Sequence, residues 1–335
     1  MCKKQKQGVE VMYNLGIDPV VEADPTLNWS EEQLFELDSM LDTQITAVIN
    51  LCVVGESIQK YGKTKQLNEL VGASLESAGI TFSNEGIWDG IKDVFKWIWE
   101  KLTDLWNWFT GLFKSDAAAE AKADNAIKAA EKQMATDGTS NEMVEIVDTK
   151  PIIEAVAELN RLSDDIVRQQ EPVSAKDLII DVSSGATIDD SKLRALSSAV
   201  EKREATSADN IKKIEAVEEK IKNLLAGNLP SRRVYKQRAI AEVKVLSANV
   251  KQVGTSLVKV HDKVKVLRDS VGTIVKDINT VYTKQTHKDG PKYAKQAAKL
   301  ALSKKREAGR LARALLAAKN REKALRDKML KTVTE

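Results

Sequence analysis

One helix constrains this chain more than any other feature. Val243, Leu246, Val250, Val253, Leu257, Val260, Val264, Leu267, Val271, Ile274, Ile278 and Val281 recur at alternating spacings of three and four without a miss. Twelve apolar residues in unbroken a/d register over more than five heptads predict a left-handed coiled-coil seam, because that repeat keeps one narrow stripe turned toward a partner. The natural partner is the segment from about 189 to 226, with Leu193, Leu196, Val200, Ile211, Ile214, Val217, Ile221 and Leu224 on one side. Its own register breaks around Arg203 to Asn210. It ends at Gly227-Asn228-Leu229-Pro230, where Gly suits C′ and Pro bars continuation, and a new helix is expected from near Ser231. So short a connection predicts an antiparallel αα-hairpin.

The rest of the chain also reads as helical. Ser30 followed by Glu31 and Glu32 is a good helix start, and Leu34, Leu37, Leu41, Ile45, Val48, Ile49 and Cys52 carry a helix from about 31 to 54. Further helices are expected over about 64 to 77, 151 to 169 and 292 to 332. Residues 115 to 150 are Ala-rich and end in DGTSN, an exposed helix and then a linker. Asp177 to Val182 (DLIIDV) has the composition of a strand but no evident neighbour. The expected class is all-α: an elongated helical bundle and antiparallel coiled-coil hairpin with a basic C-terminal helix. The expected regions are an N-terminal helical part (1–82), an aromatic helix (83–114), the Ala-rich helix and linker (115–150), the coiled-coil region (151–286) and the basic helix (287–335).

Charge is segregated along this chain. The net +3 conceals −7 over residues 1–114, −8 over 115–230 and +18 over 231–335. A basic third joined to two acidic ones implies either a polyanionic partner or pairing with the acidic parts. The last helix is the most basic, and its apolar side is thin and mostly alanine. Such a helix is expected to gain little from packing and much from negative charge. Lys304, Lys305, Arg306, Arg310, Arg313, Lys319, Arg321, Lys323 and Arg326 are the candidate phosphate contacts, giving sequence-independent, salt-sensitive affinity for nucleic acid. Lys328 and Lys331 carry the same chemistry. No zinc finger, helix-turn-helix or aromatic platform accompanies them, so base-specific reading is not expected.

GIWDGIKDVFKWIWEKLTDLWNWFTGLFK, residues 86–114, holds five of the six tryptophans. Ile87, Ile91, Val94, Ile98, Leu102, Leu105, Phe109 and Leu112 make one stripe, widened by Trp88, Phe95, Trp99, Trp106 and Phe113, while Trp97 and Trp108 fall toward the polar side. Four positive and four negative side chains make spanning a bilayer unfavourable. A broad apolar face edged by Trp and Lys suits a helix lying in a membrane interface, with Trp88, Phe95, Trp99, Trp106, Phe109 and Phe113 as contacts. A core helix of a bundle accounts for the stripe as well.

No catalytic constellation is present: there is no nucleophile elbow and no HExxH, and the scattered acids read as solvated helix faces. SIQKYGKT, residues 57–64, approaches a phosphate-binding loop but has Ser57 in place of the first glycine and no βαβ context, so a turn between helices is expected. Cys2 and Cys52, with two histidines, support neither a disulfide framework nor a zinc site, and a reducing compartment is the default. No cofactor or metal is expected.

Two stretches resemble virion proteins of tailed bacteriophages. IWDGIKDVFKWIWEKLTDLWNWF resembles the W-x-G-I-x-x-x-F/W segments of tape-measure proteins, and Glu56 to Leu67 (ESIQKYGKTKQL) is similar to an E-x-x-x-x-Y-G-x-T-x-x-L stretch of internal head proteins of large phages. The two stretches together cover 35 residues. It implies a protein packaged in the capsid interior beside the genome after synthesis in the host cytoplasm. It also implies trimming by a head protease that cuts after small-x-Glu, as at Glu76 or Glu120, and ejection with the DNA. The implied partners are packaged nucleic acid, the host membrane and other copies or virion proteins. A helical pore-forming or membrane-remodelling protein assembled through its coiled coil is the alternative class.

Overall fold

The computed structural model describes residues 119–169, 190–227, 229–284 and 290–334, with 64–77, much of 39–61, and residues 100 and 103. The fold is all-α with one small sheet. Its elements are α1 (helical residues between 39 and 61), α2 (Lys65–Ser77), α3 (119–137), β1 (Met143–Val147), α4 (Lys150–Arg168), α5 (Asp190–Ala226), β2 (Ser231–Tyr235), α6 (Lys236–Lys284) and α7 (Gly290–Thr334). Trp88, Phe95, Trp99, Trp106, Phe109 and Phe113 lie outside the described residues, as does DLIIDV. Among the described residues no helix is long and apolar enough to cross a membrane.

The chain divides into two units, each gathered from three stretches. The first comprises Met1–Trp108, Glu171–Glu204 and Val266–Lys304; the second comprises Phe109–Gln170, Ala205–Lys265 and Lys305–Glu335. In the first, α1 buries Ile45, Ala47, Cys52 and Val54, and α7 buries Ala298, Leu300, Ala301 and Leu302. Lys295 reaches Glu56 at 3.5 Å, Lys299 reaches Glu204 at 3.6 Å, and Gln296 Nε2 donates to Ser197 Oγ at 3.2 Å. Burial pushes the Cys52 thiol up, with Glu56 adding to the rise and Lys295 opposing it, so this thiol is chemically quiet. Thr64 Oγ1 accepts from Leu67 N at 3.2 Å, an N-cap for α2. The threonine of SIQKYGKT therefore starts a helix, as the turn reading expects.

In the second unit α6 buries Val243, Leu246, Val250, Val253, Leu257, Val260 and Val264, each at most 2% exposed. These are the first seven seam positions. Polar ties fix what covers them. Lys251 pairs with Asp124 of α3 at 2.6 Å, and this bond holds the Asp124 carboxyl below its usual range. Lys259 pairs with Asp164 of α4 at 2.6 Å, and Ser256 Oγ donates to buried Asn160 Oδ1 at 2.9 Å. α5 is tied to α4 by Lys220 and Glu158, 2.7 Å apart.

Two sequence readings need correcting. Ser231–Tyr235, expected as the opening of a helix, is a strand, and the expected linker before residue 150 contains its partner. β1 and β2 pair antiparallel with Met143 opposite Tyr235 and Val147 opposite Ser231. Met143-Val-Glu-Ile-Val147 and Ser231-Arg-Arg-Val-Tyr235 have the branched and aromatic side chains that suit a pleated surface. Ile146 and Val234 turn inward onto Ile127, Ile240, Val243, Leu246, Met329 and Val333. Gly138, at φ 66°, ends α3 in the left-handed conformation that redirects the chain toward β1. The second correction concerns α5. Val200, Arg203, Ser207, Asn210, Ile214, Val217 and Ile221 are all buried, again at spacings of three and four. The buried register runs straight through the apparent break, with polar residues occupying it.

Candidate nucleic-acid interface

The candidate site lies on α7, whose Ala, Leu, Lys and Arg content favours helix throughout and whose Pro291 sits in the first turn. Contrary to expectation, this helix is well packed. Ala308, Leu311, Ala312, Ala314, Leu315, Leu316 and Ala318 are all at most 8% exposed. Short alanine side chains let neighbours close in on several sides at once, so a thin apolar stripe does not mean little packing.

The nine candidate cations are not one surface. Lys305, Lys319 and Arg326 are buried at 2, 3 and 2% exposure. Arg326 Nη1 lies 2.6 Å from Glu120 Oε2 of α3 and its Nε lies 3.0 Å from Asp327 Oδ1, while Lys323 lies 3.7 Å from Glu120 Oε1. Arg310 Nη2 lies 2.6 Å from Glu218 and its Nε 3.4 Å from Glu215, both on α5. Lys304, Arg313 and Arg321 are partly exposed and Arg306 is exposed. Lys304, Lys305, Arg306, Arg313 and Lys319 also engage in polar or electrostatic contacts within the protein.

Lys319 packs against Gly254 of α6, where an added Cβ would stand 3.4 Å from its ammonium and 3.9 Å from Cε. One turn on, Glu322 is fully buried and neither carboxylate oxygen has a hydrogen-bond partner among the described residues. Burial pushes its carboxyl up to about 8, with the nearby Asn249 amide of α6, which falls short of hydrogen-bond geometry, pulling it partway back. At neutral pH it therefore holds its proton. Further along, buried Asn210 donates through Nδ2 to Glu307 Oε2 at 2.7 Å and to Gln169 Oε1 at 2.8 Å, a polar joint between α4, α5 and α7.

The charge segregation along the sequence thus closes in part within the chain: ten of the 27 Lys and Arg side chains of the basic third are accounted for in this way among the described residues. Arg232, Lys236, Lys244, Lys251, Lys259, Lys295, Lys299, Arg310, Lys323 and Arg326, all in the basic third, each pair with a carboxylate from the two acidic thirds. The sequence does not mark Glu120, Glu215 and Glu218 as partners of the basic helix, nor Arg203, Ser207 and Asn210 as buried. The 3-4 spacing continued across residues 200–221 is the signal that marks the second group. Among the described residues no group of three or more His, Cys, Asp or Glu side chains is placed to hold a metal ion. The chain matches no protein-family profile, no curated protein and no solved structure.

Proposed function

We propose that this chain is a non-enzymatic structural protein of a tailed-phage virion, packaged in the head beside the genome. The observation that supports this best is the internal use of the basic third. Ten of its cations are taken up by carboxylates from the acidic thirds of the same chain, which suits a self-contained helical body better than a loose condensing tail. On this reading nucleic acid meets only the cations left at the surface, and Lys305, Lys319 and Arg326 serve the core instead. Action on the host membrane during ejection falls to the aromatic segment, and its test is tryptophan fluorescence with liposomes: a blue shift is expected, and none removes that role.

The structure bears on the implied processing sites as well. Glu76, near the end of α2, is exposed, whereas Glu120 is buried against Arg326. Trimming of the folded protein is therefore expected after Glu76 and not after Glu120. The deciding experiment is mass spectrometry of purified particles before and after protease treatment of intact heads. The protein is expected in the protected interior, and its absence from particles would sink the reading.

A further inference from the structure

We propose that the free edge of β2 is a docking site for an extended, acidic segment of another protein, which adds to the sheet as a third strand. The ladder itself locates the edge. Lys236 N donates to Glu142 O and Asp148 N donates to Pro230 O, both at 2.8 Å, and the register between them is continuous. The even-numbered residues within both strands therefore direct their N–H and C=O groups at each other, and the odd-numbered ones turn theirs away. On β2 those are Ser231, Arg233 and Tyr235, all exposed, and the sheet has two strands among the described residues. A solvent-facing edge with three unpaired donors and three unpaired acceptors is a template for another chain.

Charge selects the occupant. Arg233 has no ion pair or hydrogen bond through its side chain among the described residues; Glu145, its neighbour across the strands, accepts from Ser231 Oγ instead. A carboxylate on an incoming strand, set opposite Arg233, forms a row on the outer face with Arg233 and Glu145, and opposite charges paired across strands are favourable. The flanking positions meet Tyr235 and Ser231, which suit β-branched or apolar residues. Two arguments favour a separate extended segment over a second copy of this chain. The two-fold pairing of β2 with itself that uses all three positions sets Arg233 against Arg233 of the other copy, and like charges directly opposite repel. Head-to-tail pairing of β2 with the β1 of another copy matches the charges but repeats every two strands, about 10 Å, which holds about one helix. Three helices, α3, α6 and α7, pack beneath this sheet through Ile127, Ile240, Leu246 and Met329.

The test titrates the full chain against short fluorescent peptides of alternating Val and Thr with a central Glu or a central Lys, read by anisotropy, with amide exchange followed by NMR. The Glu peptide is expected to bind about fivefold more tightly than the Lys peptide, because the central residue meets Arg233. Arg233→Glu, a change at an exposed position whose backbone groups lie outside the internal ladder, is expected to reverse that order. The Arg233 and Tyr235 amides are expected to slow in exchange when the Glu peptide is bound, with those of Arg232 and Val234 unchanged. N-methylation of alternate residues along the pairing edge of the peptide is expected to abolish binding, since it removes the donors that the strand offers. Equal binding of the two peptides, binding that survives N-methylation, or no binding at millimolar peptide overturns the proposal. Concentration-dependent dimerisation of the native chain that Arg233→Glu abolishes would assign the edge to a second copy, and overturns it as well. None of these outcomes bears on whether the protein is housed in the head, which is judged from the particles.

Discussion

α6 and α7 are of similar length, 49 and 45 residues, and both are buried along much of their course, yet they reach burial by opposite means. α6 presents Val or Leu at each described seam position. α7 buries alanines together with Lys305, Lys319, Glu322 and Arg326. An apolar seam gains from any apolar neighbour, whereas a buried charge is tolerable only beside a particular partner. α6 therefore contributes cohesion, and α7 contributes selectivity about which helices surround it.

The largest expected effect comes from breaking that selectivity. Glu120→Ala leaves the Arg326 guanidinium buried with Asp327 as its remaining carboxylate among the described residues, and is expected to cost about 3–5 kcal/mol in a urea melt. Replacing the pair together, as Glu120→Leu with Arg326→Met, is expected to return most of the loss. A single substitution that costs under about 1 kcal/mol would mean that the ion pair contributes no selectivity. On the other helix, Leu246→Ala empties part of the cluster it shares with Ile146, Val234 and Met329 and is expected to cost about 3 kcal/mol. There a conservative Leu246→Met is expected to cost about 1 kcal/mol or less, since an apolar site accepts any side chain of similar volume.

This contrast explains what the sequence discloses and what it hides. The α6 seam is legible because each buried position is apolar, so the period is visible in the letters. The buried positions of α5 keep the same period, but Arg203, Ser207 and Asn210 hold three of them, and an apolar count sees a break. Burial of Asn210 depends on Gln169 and Glu307, 41 and 97 residues away, which no local window contains. α7 is the extreme case. Alanine gives almost no periodic signal, and the acid that pairs with buried Arg326 lies on α3, 206 residues away in the chain. The nine-residue candidate site therefore divides into buried and exposed sets along a line the sequence does not mark. The β1–β2 sheet was hidden likewise, because five-residue strands far apart in the chain carry no pairing signal of their own.

Acidity separates the two helices next. Glu322 has a folded-state value near 8 against 4.5 for the free side chain, so the folded form binds its proton more tightly. Its favourable contribution is fully present below about pH 4.5 and is lost progressively as pH rises to about 8. At about 1.4 kcal/mol per unit, and discounting for water that reaches an ionised carboxylate, the native chain is expected to lose on the order of 2 kcal/mol across that window. Glu322→Gln is expected to flatten this loss and to be the more stable form at pH 8. Parallel stability curves for the two proteins from pH 5 to 8 would show that Glu322 does not titrate there.

The smallest effect reads the α6–α7 contact directly. Replacing a mid-helix glycine by alanine ordinarily gains about 1 kcal/mol through helix propensity. At Gly254 the added methyl would stand 3.4 Å from the Lys319 ammonium, a van der Waals contact that sets an apolar group against a buried charge. Gly254→Ala is therefore expected to gain little in the native background. With Lys319→Met in place, the same substitution meets an uncharged, pliable neighbour, and the ordinary gain is expected to return. The difference between backgrounds, about 0.5–1 kcal/mol, is the coupling energy of the cycle. Equal effects in both backgrounds would mean that Gly254 leaves no room that Lys319 uses, and that the charge on α7 is accommodated elsewhere.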